Sequence, residues 1–445
     1  MISNRKTKGL APVPAKANAS PPPLLRAVPV LLLIVWAAFF ATACAAGRTD
    51  VAILWTDRPD FAFYVKYFNA SQTRYKVEVF HHDFPARNLA LAGNSRDTPD
   101  IVVASWLHGA STRAFLRSLD VYVGGDSGIE YAFYPGLLAR GNIDGRQYLL
   151  PVSFNAPLAV FANAHSQKLS CPRTIGLEEM RYLAGGFNAR AGAAFTRMGF
   201  APTWDDGFLF TMATLFGASF RESDSAGAVE WDAAAIEQAV GFAREWIADT
   251  NAGVQATDNF TFRFFNIPPA NMVLTERIMF ANMDSSVFFT LAETQRNDLD
   301  FRWIAERDAI PLAEDAAYLG LARRGNAPRA ADAFVRWFFS PETQQSLLER
   351  SHKFRQMETS FGIAGGFSAL RPVTEQIFPR FYPGLLGRIP PEDFFSPANV
   401  LPGDWAAMKE RVILPYLHER ALQPDNAETA PLENRLADWA RMQRF

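Results

Sequence analysis

The chain has 445 residues, with 44 Lys and Arg against 46 Asp and Glu, 49% hydrophobic and 20% charged residues. That composition is ordinary for a globular protein and excludes disorder or a collagen-like rod. The net charge of −2 is unevenly spread: residues 1–49 hold Arg5, Lys6, Lys8, Lys16, Arg26 and Arg48 and no acidic residue. Removal of residues 1–43 would take away five basic groups and leave a body at −7, which argues against nucleic acid as a partner.

The N-terminus reads as an export signal. A basic, Pro/Ser-rich head (1–26) precedes the uncharged apolar run AVPVLLLIVWAAFFATA (27–43), which ends in small residues directly before Cys44. Basic head, apolar middle and small-residue exit are the parts of a secretory signal. An uncleaved membrane anchor is the alternative, because the run approaches the lower length for spanning. Cys44 and Cys171 are the only cysteines, too few for a disulfide framework.

Val51–Trp55 is a strand candidate. Pro59 opens a helix with Phe61, Tyr64, Val65 and Phe68 on one face. Tyr75–Phe80 alternates as a half-buried strand, Pro85–Leu91 reads as a helix, and Ile101–Ala104 as a buried central strand. Trp106–Arg117 is expected to be helical. This β-α-β-α-β order predicts a parallel sheet with right-handed crossovers. Gln147–Val152 and Leu158–Ala162 follow as strands around the Asp144-Gly145 turn. Leu177–Phe187, Phe208–Phe216 and Ala233–Ala248 read as helices, and Arg277–Phe280, Phe301–Ala305 and Ala317–Ala322 as strands. Asn326 is the expected cap of a helix with Ala330, Ala333, Phe334, Trp337 and Phe338 on its apolar face. Ser340-Pro341-Glu342 starts the next helix. Gly362–Gly366 reads as a flexible connection, and the remainder as helices broken by Pro-rich turns.

Motifs for chemistry are absent from the sequence. It contains no G-x-x-x-x-G-K-[ST], H-E-x-x-H, C-x-x-C or G-x-S-x-G, so no ATP site, zincin site or nucleophile elbow is expected. His81 and His82 would point to opposite faces of a strand, which disfavours a joint metal site. Cys171 has no activating neighbour and reads as an inert thiol. Neither a cofactor nor a metal is expected.

The ordered features resemble family 1 extracellular solute-binding proteins, the group that includes maltose-binding protein. Thr98-Pro99-Asp100-Ile101-Val102 resembles the family's "G-x-P-D" strand start, and Leu119-Asp120 its nearby "L-x-D/L". Asp144 to Pro151 resembles "D-G-K-x-Y-G-L-P", and Val160 to Asn163 the crossover strand that follows. Arg277 to Phe280 resembles the strand before a Gly-Ser-Trp loop, though the loop here is Asn282-Met283-Asp284-Ser285 and lacks the tryptophan. Tyr318–Gln345 resembles the family's strand, capped helix and "S-P-E-x-Q". The cysteine after the apolar run resembles the bacterial lipobox, with Ala41 where Leu is preferred, and so implies lipidation of Cys44.

The resemblance implies an α/β, two-lobed periplasmic-binding-protein fold, each lobe a mainly parallel sheet flanked by helices, with the ligand in the cleft. The expected organisation is a signal at 1–43, a lipid-anchored linker at 44–49, lobe one at 50–152 plus 306–365, and lobe two at 153–305 plus 366–445. It implies a non-enzymatic lipoprotein, exported and monomeric, that delivers a small solute to ABC permease subunits. A sugar is the expected solute; a polyamine, peptide or oxyanion, or use of the fold for adhesion or sensing, remain alternatives. A secreted hydrolase has no supporting motif.

Ligands of open parallel sheets bind beyond the carboxyl ends of strands where strand order reverses. In a 2-1-3 order the loops there carry Trp55, Asp57 and Arg58, and Ser105 and Trp106. A ring and a hydrogen-bonding group side by side suit a sugar, though each Trp could equally pack under its loop. In lobe two, the resemblance points to Trp204; Asp205 is a candidate ligand contact, with capping of the following helix by Asp205 or Asp206 as the alternative. Asn282 and Asp284 are polar groups after a strand, and Asn155 lies at the first crossover. Trp106 and Trp204 are expected to face each other across the cleft, with Asp57 and Asp284 as polar partners.

Overall fold

The first sheet is laid down by β1 (Asp50–Thr56), β2 (Tyr75–His81), β3 (Ile101–Ala104) and β4 (Leu150–Phe154). The second uses β5 (Pro157–Ala162), β6 (Thr174–Ile175), β7 (Ala281–Asp284) and β8 (Leu299–Ile304); β9 (Ala317–Leu321) and β10 (Phe367–Ser368) then return to the first. This computed structural model describes residues 50–92, 98–124, 128–223, 228–423 and 429–442. The expected signal, the linker and Cys44 lie outside the described residues.

Strand order in the first sheet is β10-β4-β9-β3-β1-β2. β2, β1 and β3 are parallel neighbours, with Leu54 opposite Val79 and Ile101, so the order at this edge is 2-1-3. β9 runs antiparallel to both β3 and β4, and β10 antiparallel to β4. The second sheet has the order β7-β5-β8-β6, with β5 antiparallel to both neighbours and β8 parallel to β6. Both sheets are therefore mixed, and the crossings explain why. β1 to β4 all run toward the second sheet, so a strand returning from it must run the other way. By the same logic β7 and β8 point back toward the first sheet.

The apolar periodicity of the Asp60–Ser71 helix works as expected: Phe61, Tyr64, Val65 and Phe68 are buried. They meet the Pro328–Phe338 helix, with Phe61 and Phe338 ring centroids 5.2 Å apart and Phe68 set edge-on to Phe334 at 5.3 Å. Burying each of these rings is worth about 1.5–3 kcal/mol, and edge-to-face contact adds to it.

Several expectations are corrected. Trp106–Arg117 holds only the short helix Ala110–Arg113: Trp106, with a φ of 56°, belongs to the turn after β3, and at the far end Leu116 pairs with Ala322 as an isolated bridge. The strand expected at Arg277–Phe280 lies at Ala281–Asp284. The helix expected to be capped by Asn326 starts at Pro328 with no side-chain cap; its first turn is fixed by Asp100. Asp100 Oδ1 accepts from Ala327 N at 2.7 Å and Oδ2 from Ile53 N at 2.8 Å. The expected lobe boundary after 365 falls ahead of β10, which joins the first sheet. The chain next crosses near Phe395–Ser396, which pairs beside Ile310–Pro311, and residues such as Leu401, Trp405 and Trp439 then pack with the helices of the second sheet.

Asn155 sits in the first crossing and ties it to segments of both sheets and to the next crossing. Its Nδ2 donates to the Gly365 carbonyl at 2.9 Å, its Oδ1 accepts from Ser285 Oγ at 2.8 Å, and its carbonyl accepts from Ala313 N at 2.9 Å.

Candidate ligand-binding cleft

The wall from the first sheet is built at the carboxyl ends of β1 and β3. Arg58 ties the two loops together. Its Nη2 donates to Ser105 Oγ at 2.6 Å and to the Asp315 carbonyl at 2.7 Å, and Ser105 Oγ donates to that carbonyl at 2.6 Å. Arg58 Nε lies 3.2 Å from Asp57 Oδ1, and Nη2 lies 3.8 Å from the Asp315 carboxylate. Burial lifts the Asp57 carboxyl above its ordinary range, and Arg58 opposes the lift. These three predicted residues thus fasten the sheet to the crossover that follows β8.

Trp106 holds a left-handed backbone conformation, a strain of about 1–3 kcal/mol that is kept where the surroundings over-determine it. Its indole Nε1 is buried without a hydrogen-bond partner. With Tyr318, Arg140 and His108 it lines a narrow cavity. Burial, then the charge of Arg140, pushes the His108 imidazole down to about 4, so His108 itself is neutral at neutral pH beside the Arg140 cation.

The opposite wall is the end of β7. Ala281 and Met283 are buried on one face, and Asn282 and Asp284 alternate with them. Asn282 Nδ2 donates to Asp205 Oδ2 at 2.8 Å. Asp205 Oδ1 caps the Asp206–Phe216 helix, accepting from Gly207 N at 2.8 Å and Phe208 N at 3.3 Å. Asp284 Oδ1 caps Ser285–Thr290, accepting from Ser286 N at 2.8 Å and Ser286 Oγ at 2.6 Å. Burial, with Asp315 and Glu314 as like-charged neighbours, raises Asp284 to about 6, against the pull of the Ser286 hydrogen bonds.

Asp205, Asn282 and Asp284 line a cavity of about 540 Å³ together with Arg140, Phe210, Glu314, Trp405 and Lys409. Lys409 Nζ donates to Glu314 Oε1 at 2.5 Å and stands 4.0 Å over the Phe210 ring. The cavity adjoins that of Trp106, with Arg140, Glu314 and Asn399 common to both. A further chamber of about 440 Å³ lies beyond Asp205 and Asn282, lined by Trp204, Phe265 and His418. There Trp204 stacks on Phe260 with centroids 5.5 Å apart and is tilted against Phe265 at 4.8 Å.

The structure separates the predicted residues into groups. Asp205, Asn282 and Asp284 share one cavity; Trp106 and Trp204 border different ones, so the expected face-to-face pair does not form. Trp55 lines none of these cavities: it is 9% exposed and its ring rests on His82 at 4.4 Å. Asn155 also lines none; its amide bonds Gly365 ahead of β10 and Ser285 after β7. Glu314, Lys409, Arg140, Phe210 and Trp405 escaped sequence reasoning. They come from segments far apart in the chain, and only the Glu314-Asp315 pair, a polar step between two strands, gave a local signal.

No family model matches the sequence, and no curated protein matches it. Solved structures do. An ABC substrate-binding protein from Listeria monocytogenes in complex with cycloalternan superposes with a TM-score of 0.58 at 13% identity, over 89% of this chain and 100% of that one. The chain has the two-lobed solute-binding fold. The cyclic alpha-maltosyl-1,6-maltose binding protein from Arthrobacter globiformis gives a TM-score of 0.57 at 17% identity, over 88% of this chain and 97% of that one. The Thermus thermophilus maltotriose binding protein bound with maltotriose gives 0.54 at 13% identity, over 88% and 100%.

Proposed function

We propose that the protein is the solute-capturing component of an ABC importer and that its solute is a carbohydrate. The observation that carries this reading is the cleft between the two sheets. Rings and a cation from the first-sheet side, Trp106, Tyr318 and Arg140, meet amides and carboxylates from the second-sheet side and the crossings, Asn282, Asp205, Asp284 and Glu314, the mixture that a sugar's C–H faces and hydroxyls require. The shared fold supports it, since the structures above are named for sugars or are bound to them. In this reading the protein captures its solute without turning it over and hands it to permease subunits. Adhesion or sensing is not favoured by any feature of the cleft. Mass spectrometry of ligand carried through native purification tests the proposal: a saccharide supports it, and a peptide or oxyanion overturns it.

Within this proposal Trp106 and Trp204 offer rings at the two ends of the cleft, and Asp205, Asn282 and Asp284 offer polar contacts between them. Trp106→Ala and Trp204→Ala are each expected to weaken saccharide binding by about 1–3 kcal/mol in calorimetry. Normal affinity in either variant removes that ring from the site.

Export and anchoring belong to the same proposal. Among the described residues no helix is long and apolar enough to cross a membrane. Lipidation at Cys44 would tether the body, and more than one acyl chain would be needed for stable attachment. Cys44→Ser is expected to abolish lipid labelling and signal cleavage together. An intact Met1 on the wild-type membrane form would favour an uncleaved anchor instead.

A further inference from the structure

The charged groups around the main cavity do not balance one another equally. Lys409 is committed to Glu314. Arg58, in the adjoining wall, is shared between Asp57 and Asp315. Arg140 donates to the Pro397 carbonyl at 3.0 Å. Asp205 spends one oxygen on the helix cap and the other on Asn282. Asp284 differs from all of these. Its Oδ1 takes both Ser286 bonds, while among the described residues no hydrogen bond or ion pair reaches its Oδ2 and no cation pairs with it. The charges that act on it include the like charges of Asp315 and Glu314. Two residues back on the same strand face, Asn282 Oδ1 is buried without a partner.

We infer that the solute carries a single basic nitrogen, which docks as an ammonium on Asp284 Oδ2: the ligand class is an amino-saccharide. This rests on the carbohydrate reading above and narrows it. A neutral hydroxyl could donate to Asp284 but would leave its charge uncompensated among like charges, whereas an ammonium supplies a charge-assisted hydrogen bond in a partly desolvated site. Among the described carboxylates of the cavity lining, Asp205, Asp284 and Glu314, only Asp284 has neither a paired cation nor a partner on both oxygens, so a polyamine with several cationic centres would find one mate and strand the rest. The uncommitted Asn282 Oδ1 and the hydroxyls of Thr211, Thr214 and Ser219 on the cavity lining suit the neutral hydroxyls of a sugar.

Calorimetry on the purified full chain at neutral pH tests this with matched pairs that differ in one group: glucosamine and glucose, galactosamine and galactose, mannosamine and mannose. Spermidine serves as an amine without a sugar. At least one amino member is expected to bind roughly tenfold to hundredfold tighter than its hydroxyl counterpart, the range for a hydrogen bond to a charged group. Asp284→Asn should erase that preference, and Asp284→Glu should retain part of it. The Asn variant keeps an acceptor oxygen for Ser286, so the helix cap and the fold survive. A neutral sugar that binds as tightly as its amino partner in every pair overturns the inference and leaves the carbohydrate reading standing. Binding of spermidine alone overturns the carbohydrate reading and the inference with it. A preference that persists in Asp284→Asn also overturns the inference, and a panel with no binding counts against both.

Discussion

Asp100→Ala is expected to lower the unfolding free energy by about 2–6 kcal/mol, because two backbone N–H groups lose their acceptor at once and each buried orphan costs about 1–3 kcal/mol. Asp100 is only 2% exposed. Its two oxygens serve Ile53 in β1 and Ala327 at the start of the Pro328–Phe338 helix. The same residue donates its own N–H to the Ile53 carbonyl at 2.8 Å, and its carbonyl accepts from Ala322 N at 3.0 Å. It therefore joins β3 to β1 and to the segment after β9. Asp100→Asn keeps one acceptor and should lose about half as much. Denaturant unfolding at neutral pH measures both; a loss under about 0.5 kcal/mol for the alanine variant, typical of an unremarkable surface site, would sink the argument.

The second large effect is on pH. Asp284 is raised from 3.8 to about 6 in the folded protein, so the fold prefers its protonated form. The stability this group contributes is then fully present below about pH 4 and is lost as pH rises through 6. The full difference is about 3 kcal/mol, at about 1.4 kcal/mol for each pH unit of displacement. Asp284→Asn is expected to remove this contribution and to be more stable than the wild type at pH 7.5, while the two converge near pH 4. Parallel stability profiles for the two proteins between pH 4 and 7.5 would rule it out. An ammonium ligand reverses the preference, because it binds the carboxylate; its affinity should fall as pH drops below 6, whereas the stability of the free protein rises there.

How far the sequence carried depended on how local the cause was. The Asp60–Ser71 helix and the 2-1-3 strand order were legible because apolar spacing and β-branched runs are local patterns, and their burial simply follows. The turn at Trp106 was not, since a tryptophan with positive φ is held by its surroundings and not by its own preference. β7 was displaced by four residues because Arg277–Phe280 and Ala281–Asp284 are both short and apolar in part. Only pairing with β5 separates them. For the cleft, Asp205, Asn282 and Asp284 could be found as polar groups beside expected strands and helices. Lys409 and Arg140 could not, because their role exists only once the crossings bring remote segments to one place. Asp100 was read as part of a motif; its purpose became visible only with the two donors it serves.

The bonds of Asn155 bear on how the protein would move. One amide side chain and its own carbonyl link the β4–β5 connection to residues 285, 313 and 365. Four segments of chain pinned at a common point cannot flex one at a time. Any bending there is reduced to rotation about a single pivot, as with a door hung on one pin. The lining residues would then sweep along one fixed arc, and the distance each travels would be set by its lever arm from Asn155.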